Sequence, residues 1–184
     1  MSIADRTARS TVYNVTSTAI YTAVMFVRGV LLARLLAPEH FGVFTLGLSI
    51  VATTQVVARF GLSHGLVHRV SQDKADDTAI AVHFTLNNLF TLAWAALLLL
   101  GSYPLQRLAG WPDLTRQTFQ ALTLVYALDL FASTPMAVLT REVAFQRLAL
   151  LRVVGAVLSS IVAVLMAWQG YGVWSLVAGE AAMQ

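Results

Sequence analysis

The sequence contains no cysteine, which excludes disulfide frameworks, thiolate metal sites and cysteine nucleophiles. It also lacks a glycine-rich phosphate-binding loop, a Gly-x-Ser-x-Gly segment and a His-Glu-x-x-His segment. His64 and His68 share a helical spacing, but a zinc site needs further ligands that this pair does not supply. The sequence therefore predicts neither an enzyme nor a cofactor or metal site, and no catalytic residue is assigned.

Charge is also scarce, because 11% of the 184 residues are Asp, Glu, Lys or Arg, whereas a soluble domain has about 25%. Hydrophobic residues make up 58% of the chain, and the mean hydropathy is +0.71. This composition argues against a disordered chain and a typical cytosolic enzyme, and it favours a multi-pass protein with membrane lipid around it. The net charge of +3 indicates no nucleic-acid partner, since Lys and Arg beside apolar spans set their orientation.

The apolar residues fall into segments of about 20 residues, the length at which a helix crosses a membrane. We predict an all-α transmembrane bundle in which residues 1–184 form a single domain with five complete spans and an incomplete sixth. Glycine and proline interrupt helices, and Gly101 and Pro104 are assigned to the third loop. The complete spans are predicted at about residues 12–34, 41–60, 78–100, 118–140 and 148–168, and the sixth begins near Tyr171.

The Lys and Arg residues are distributed unequally over the two sides of these spans. With the N-terminus in the cytoplasm, eight flank the inner ends and three flank the outer ends, as the positive-inside rule requires. Arg28 lies within the first span and is not assigned to a side. The inner set is Arg6, Arg9, Arg59, Arg69, Lys74, Arg141, Arg147 and Arg152, and the outer set is Arg34, Arg107 and Arg116.

Two hexapeptides in the chain agree in residue type at every position. Residues 41–46 and 171–176 both read aromatic, Gly, Val, aromatic, hydroxyl and Leu, and each opens a predicted span after an outer loop. One interpretation is a shared way of starting a helix at the membrane interface. The other is a duplicated helix pair, since transporters often contain repeats.

Three segments, in the same order, carry a family resemblance that extends over residues 31–177. The first is Ala33-Arg34-Leu35-Leu36-Ala37-Pro38-Glu39-His40-Phe41-Gly42, followed by Gly61-Leu62 and a polar stretch. The second is Arg141-Glu142-Val143-Ala144-Phe145-Gln146-Arg147-Leu148, and the third is Gly170-Tyr171-Gly172-Val173-Trp174-Ser175-Leu176-Val177. They resemble the opening junction, a cytoplasmic loop and the start of the sixth span in the polysaccharide-biosynthesis flippases.

That family belongs to the multidrug/oligosaccharidyl-lipid/polysaccharide exporter superfamily. The resemblance implies the N-terminal lobe of a two-lobed transporter in the bacterial inner membrane, which flips an undecaprenyl-diphosphate-linked oligosaccharide for surface polysaccharide synthesis. The chain departs from the family in its length, because half a transporter encloses no central cavity. We therefore expect either a fragment that lacks its C-terminal lobe or a chain that pairs with a second half.

Arg28 is an ionisable residue within a span, where charge is costly and usually faces a cavity or a partner. It shares a helical face with Asn14, Thr18, Tyr21 and Met25, which follow one another at steps of three and four residues. One interpretation is a cavity wall whose guanidinium, a planar fork of donors, attracts a diphosphate. The alternative is a side chain that extends to the outer interface beside Arg34.

Asp129 lies near the centre of the fourth predicted span. A carboxylate in hydrocarbon must be protonated or paired, so Asp129 is a candidate counter-ion for Arg28 or a candidate proton or sodium coupling site. A structural hydrogen bond between helices is the alternative. Asn87 and Thr91 share a face of the third span, where they either contact the sugars of a substrate or hold helices together.

Two other functions are compatible with parts of the sequence. A drug or small-cation exporter of the same superfamily would be favoured by a cavity rich in carboxylates. A non-transporting membrane assembly subunit would account directly for the short length. A membrane glycosyltransferase is a weaker candidate, because only Asp73, Asp76 and Asp77 could supply its paired carboxylates.

Overall fold

The structure, a computed structural model, describes the backbone of residues 3–58, 77–142 and 145–184. Side chains are described for residues 15–56, 84–131 and 150–184. Within these ranges the regular structure is helical and contains no strand, which confirms the predicted all-α class. The helices are α1 (Ile3–Leu35), α2 (Pro38–Ala58), α3 (Asp77–Ala109), α4 (Asp113–Glu142), α5 (Phe145–Trp168) and α6 (Val173–Ala181).

Three of the described segments are long and apolar enough to cross a membrane: Val15–Leu35, Phe84–Ala109 and Leu150–Trp168. Large apolar side chains on them point outwards, as Phe26 and Leu97 show with exposed fractions of 72% and 70%. Exposed apolar surface of this kind is costly in water and suits contact with lipid tails. The chain is thus a membrane protein, while the number of five complete spans and a sixth stays a prediction.

The predicted break at Gly101 and Pro104 is wrong, because α3 continues through both residues to Ala109. Proline lacks an amide hydrogen, so Pro104 cannot donate to the carbonyl of Leu100 four residues earlier. The side chain of Ser102 makes two other hydrogen bonds in this turn. The Ser102 hydroxyl donates to the carbonyl of Leu99 at 2.6 Å and accepts a bond from Gln120 of α4 at 2.8 Å. The helix ends instead at Gly110, whose φ of +65° suits a residue without a β-carbon.

The turn between α3 and α4 is held by a cluster of polar and aromatic side chains. Asp113 accepts a hydrogen bond from Gln106 at 2.9 Å and lies 3.5 Å from the Arg116 guanidinium. That guanidinium in turn lies 4.9 Å from the centre of the Tyr103 ring, a distance at which cation–π attraction is effective. These contacts make α4 begin five residues earlier than its predicted start near residue 118.

The described chain divides into two compact units. The first consists of Met1–Phe41 and Ala137–Gln184 and contains α1, α5 and α6, with α5 packed against both other helices. The face of α5 that is buried carries small side chains at steps of three and four residues, which let helices approach closely. These small residues are Ala156, Ser159, Ala163 and Ala167.

The second unit, Gly42–Met136, contains α2, α3 and most of α4. A β-carbon at Gly47 would lie 3.2 Å from the Leu122 side chain and 3.5 Å from the Phe119 backbone, so α2 and α4 are close at this glycine. Phe119 and Leu122 are fully buried. The unit therefore has its own core, formed around α4.

The two matching hexapeptides adopt different backbone structures. Gly42 lies inside α2, with no atom near the position of a β-carbon. Gly172 precedes α6 with a φ of +57°, and a β-carbon there would lie 2.8 Å from Nε2 of His40. The likeness is thus one of residue type, and the structure gives the interpretation as a duplicated helix pair no support at these two glycines.

Replacing each of these glycines by alanine should change stability in opposite directions. Gly172→Ala places a side chain in a conformation that costs about 1–3 kcal/mol and against His40. Gly42→Ala should raise stability by up to about 1 kcal/mol, since alanine favours a helix interior. Thermal unfolding of both variants in detergent measures the difference, and equal effects would contradict the distinct geometries.

Candidate functional site

Arg28 lies at the place where α1, α5 and α6 meet. Its exposed fraction is 9%, so the helices cover most of the side chain. A β-carbon at Gly179 of α6 would lie 2.5 Å from Nη2 of Arg28 and 2.7 Å from Cβ of Ala163. The guanidinium therefore lies directly against the bare backbone of Gly179, in space that any other residue type would fill.

Polar and charged neighbours of Arg28 come from two helices. Its Nη1 donates to the sulfur of Met25 at 3.9 Å, and Tyr21 of the same helix interacts with it electrostatically. The structure thus places Tyr21, Met25 and Arg28 on one face of α1, as their spacing predicts. From α6, the carboxylate of Glu180 attracts the guanidinium.

Glu180 is a site residue that sequence reasoning missed. Asp129 was predicted because it lies in a complete span, whereas Glu180 lies in the incomplete sixth segment. A signal was nevertheless present, because Glu180 is the one charged residue in the run from Val173 to Met183. An acidic residue in such a run indicates a buried partner of opposite charge.

A groove of about 540 Å³ runs between α1 and α5 beside Arg28. Its walls are aliphatic except at Arg28 and Ser160, and the Ser160 hydroxyl already donates to the carbonyl of Ala156 at 2.6 Å. The groove can thus accept an apolar chain, with Arg28 as the charged residue of its lining. The aliphatic residues are Ala23, Val24, Val27 and Leu31 of α1, and Val157, Ile161, Val164 and Leu165 of α5.

The other residues predicted on the Arg28 face are placed as follows. Tyr21 is half-buried and Thr18 is exposed, with its backbone carbonyl accepting a bond from the Thr22 hydroxyl at 2.8 Å. The side chain of Asn14 lies outside the described side chains, so its predicted role is untested. Of the predicted face, Met25 thus makes the contact with Arg28, and Tyr21 contributes to the electrostatics of its guanidinium.

Asp129 belongs to the second unit, where it links α4 to α2. Its Oδ2 accepts a hydrogen bond from Nε2 of Gln55 at 3.4 Å, and the Gln55 side chain is buried. This bond matches the alternative in which Asp129 joins helices. Pairing with Arg28 and a role in ion coupling stay predictions, since Arg28 and Asp129 lie in different units.

Asn87 and Thr91 both make hydrogen bonds to backbone carbonyls. The Asn87 amide donates to the carbonyl of Leu130 in α4 at 2.9 Å, and the Thr91 hydroxyl donates to the Asn87 carbonyl at 2.7 Å. Thr91 is 2% exposed. These bonds correspond to the interpretation in which the pair holds helices together, while a contact with sugars stays untested.

No group of three or more His, Asp or Glu side chains that could hold a metal occurs among the described residues. The pair His64 and His68, and the acidic residues Asp73, Asp76 and Asp77, lie outside the described ranges. Besides the turn between α3 and α4, the described structure brings charged and polar side chains together around Arg28 and around Asp129.

The bond from Asn87 can be tested against its neighbour on the same helix. Asn87→Leu should lower the free energy of unfolding by about 1 kcal/mol, because it removes a bond between two helices. Asn88→Leu is the matched control: its buried Oδ1 has no hydrogen-bond partner within the described part of the chain. Thermal unfolding in detergent should show no loss for the control, and equal losses would argue against the assigned bond.

Comparison with known proteins adds to this geometry. Residues 31–184 match the family described as polysaccharide biosynthesis protein. The succinoglycan biosynthesis transport protein ExoT of Rhizobium meliloti (strain 1021) is 31% identical to the chain over 153 residues. That alignment covers 83% of this chain and 30% of ExoT, so the chain spans less than a third of the length of this relative. No solved structure matches the chain.

Proposed function

The chain belongs to the polysaccharide biosynthesis protein family, and we propose that it is the N-terminal lobe of a flippase for lipid-linked oligosaccharides. The substrate we propose is an oligosaccharide on an undecaprenyl diphosphate, moved across the bacterial inner membrane for surface polysaccharide synthesis. The transport protein from Rhizobium meliloti supports the assignment to polysaccharide transport. Such movement makes and breaks no bond, so the proposal involves no enzymatic step.

The observation that carries the proposal is the position of Arg28 in the wall of an aliphatic groove. Both helices that form the groove contain a segment long and apolar enough to cross a membrane. A ligand that suits these walls has an apolar chain and a negatively charged head. A polyprenyl diphosphate has both parts, and the planar fork of Arg donors suits phosphate oxygens.

The dimensions of the groove agree with part of a lipid chain. Its α1 wall extends from Ala23 to Leu31, which is about 12 Å along a helix that rises 1.5 Å per residue. The groove thus holds the portion of the chain next to the head group, while the remainder stays among membrane lipids. Remote apolar contacts of this kind add affinity without specifying the sugar.

The orientation and mechanism that we propose follow from charge and from the partial coverage of the relative. Eight Lys and Arg on one side against three on the other place the N-terminus in the cytoplasm. A C-terminal lobe, in the same protein or in a second chain, completes the pathway. The head group then crosses by alternating access between the two lobes, with Asp129 as the proposed coupling site.

Substitution of Arg28 in the complete gene tests the role of the groove. Arg28→Gln keeps a side chain of similar size and removes the charge, so we expect surface polysaccharide to fall at least about tenfold. A tenfold loss corresponds to about 1.4 kcal/mol of binding free energy. Polymer is measured on whole cells, and the amount of transporter in the membrane is measured by immunoblot.

The matched control is Arg34→Gln, which removes the same charge from an exposed position at the end of the same helix. We expect this variant to retain polymer synthesis. Normal polymer with Arg28→Gln, at an equal amount of protein, would overturn the proposed head-group site. Equal losses in both variants would indicate an effect of charge on insertion and would also count against it.

A further inference from the structure

Glu180 belongs to the helix that covers the Arg28 guanidinium. The neighbouring Gly179 lies against that guanidinium, so the first atoms of the Glu180 residue are within the same cluster. The Glu180 carboxylate attracts Arg28 and accepts a hydrogen bond from Nε2 of Gln184 at 3.4 Å. The Glu180 carboxylate thus already attracts the guanidinium that a phosphate group of the substrate would bind.

Two anions beside one guanidinium in apolar surroundings oppose each other. Negative charges at one site repel each other strongly when water is scarce. A head group that binds Arg28 must therefore either displace the Glu180 carboxylate or bind against its repulsion. In both cases the acidic residue weakens binding.

We propose that Glu180 is the internal counter-ion of Arg28 and competes with the anionic head group of the substrate for it. This inference rests on the proposed function and adds to it a residue that sets affinity. The empty site then keeps no unpaired charge among apolar helices, which would be costly. Arrival of the head group replaces one negative partner of Arg28 by another.

The test measures binding of undecaprenyl-diphosphate-linked N-acetylglucosamine to the purified complete protein in detergent. We expect Glu180→Gln to bind the probe about tenfold more tightly than the wild type near pH 7.5, a difference of about 1.4 kcal/mol.

Glu39→Gln is the matched control, since Glu39 is exposed in the first turn of α2, and it should bind as the wild type does. If Arg28→Gln abolishes binding while Glu180→Gln binds as the wild type does, the competition is wrong and the proposed function stands. If the wild type does not bind the probe, the proposed function fails.

Thermal unfolding of Arg28→Gln, Glu180→Gln and the double variant tests the pairing without any ligand. The loss from the double variant should be clearly smaller than the two single losses together, because removal of one partner leaves the other charge unpaired. Additive losses would overturn the pairing, and with it the competition. This measurement decides the inference even if the probe does not bind.

Discussion

A guanidinium held among apolar helices is the constraint on which the first unit depends. An unpaired charge in hydrocarbon is costly, so the helices around Arg28 must bring it a partner and leave room for it. Gly179 provides the room, because any β-carbon there would collide with the side chain. Small residues along α5 let the helices approach, and Glu180 supplies the opposite charge. The packing of α6 and the electrostatics of Arg28 are therefore two aspects of one arrangement.

In the second unit, neutral side-chain donors make most of the polar contacts between helices. The amides of Gln55 and Asn87 reach across to α4, where they bond to a carboxylate and to a backbone carbonyl. Ser102 receives a bond from Gln120 in the turn before Pro104. Interhelical bonds of this kind contribute about 1 kcal/mol each, and they fix the rotation of helices whose apolar surfaces would otherwise slide. The contrast with Arg28 makes the first unit the better candidate for binding an anion.

An aliphatic groove with Arg28 in its lining also accounts for the substrate class that we propose. Apolar walls select no particular sugar, and the charge selects a phosphate-bearing head, so the arrangement recognises a lipid carrier by its chemistry. In this proposal the Glu180 carboxylate adds selectivity, because a ligand must attract the guanidinium more strongly than Glu180 does. Membership of the polysaccharide biosynthesis family agrees with a carrier of this type.

The sequence by itself determined the helical class, the membrane location and the family, because each depends on hydropathy or on short motifs that can be read directly from the residues. It also placed Tyr21, Met25 and Arg28 on one face, since helical spacing is local. Tertiary structure decided what those residues meet. Pro104 lies inside α3, and Gln120 of α4 donates to Ser102 in the turn before it, a contact that the local sequence does not specify. The two matching hexapeptides differ, because Gly172 precedes its helix with a φ of +57° beside His40 whereas Gly42 lies inside α2. Glu180 attracts Arg28 although about 150 residues of chain separate them. The periodicity of one helix cannot specify a partner on another helix.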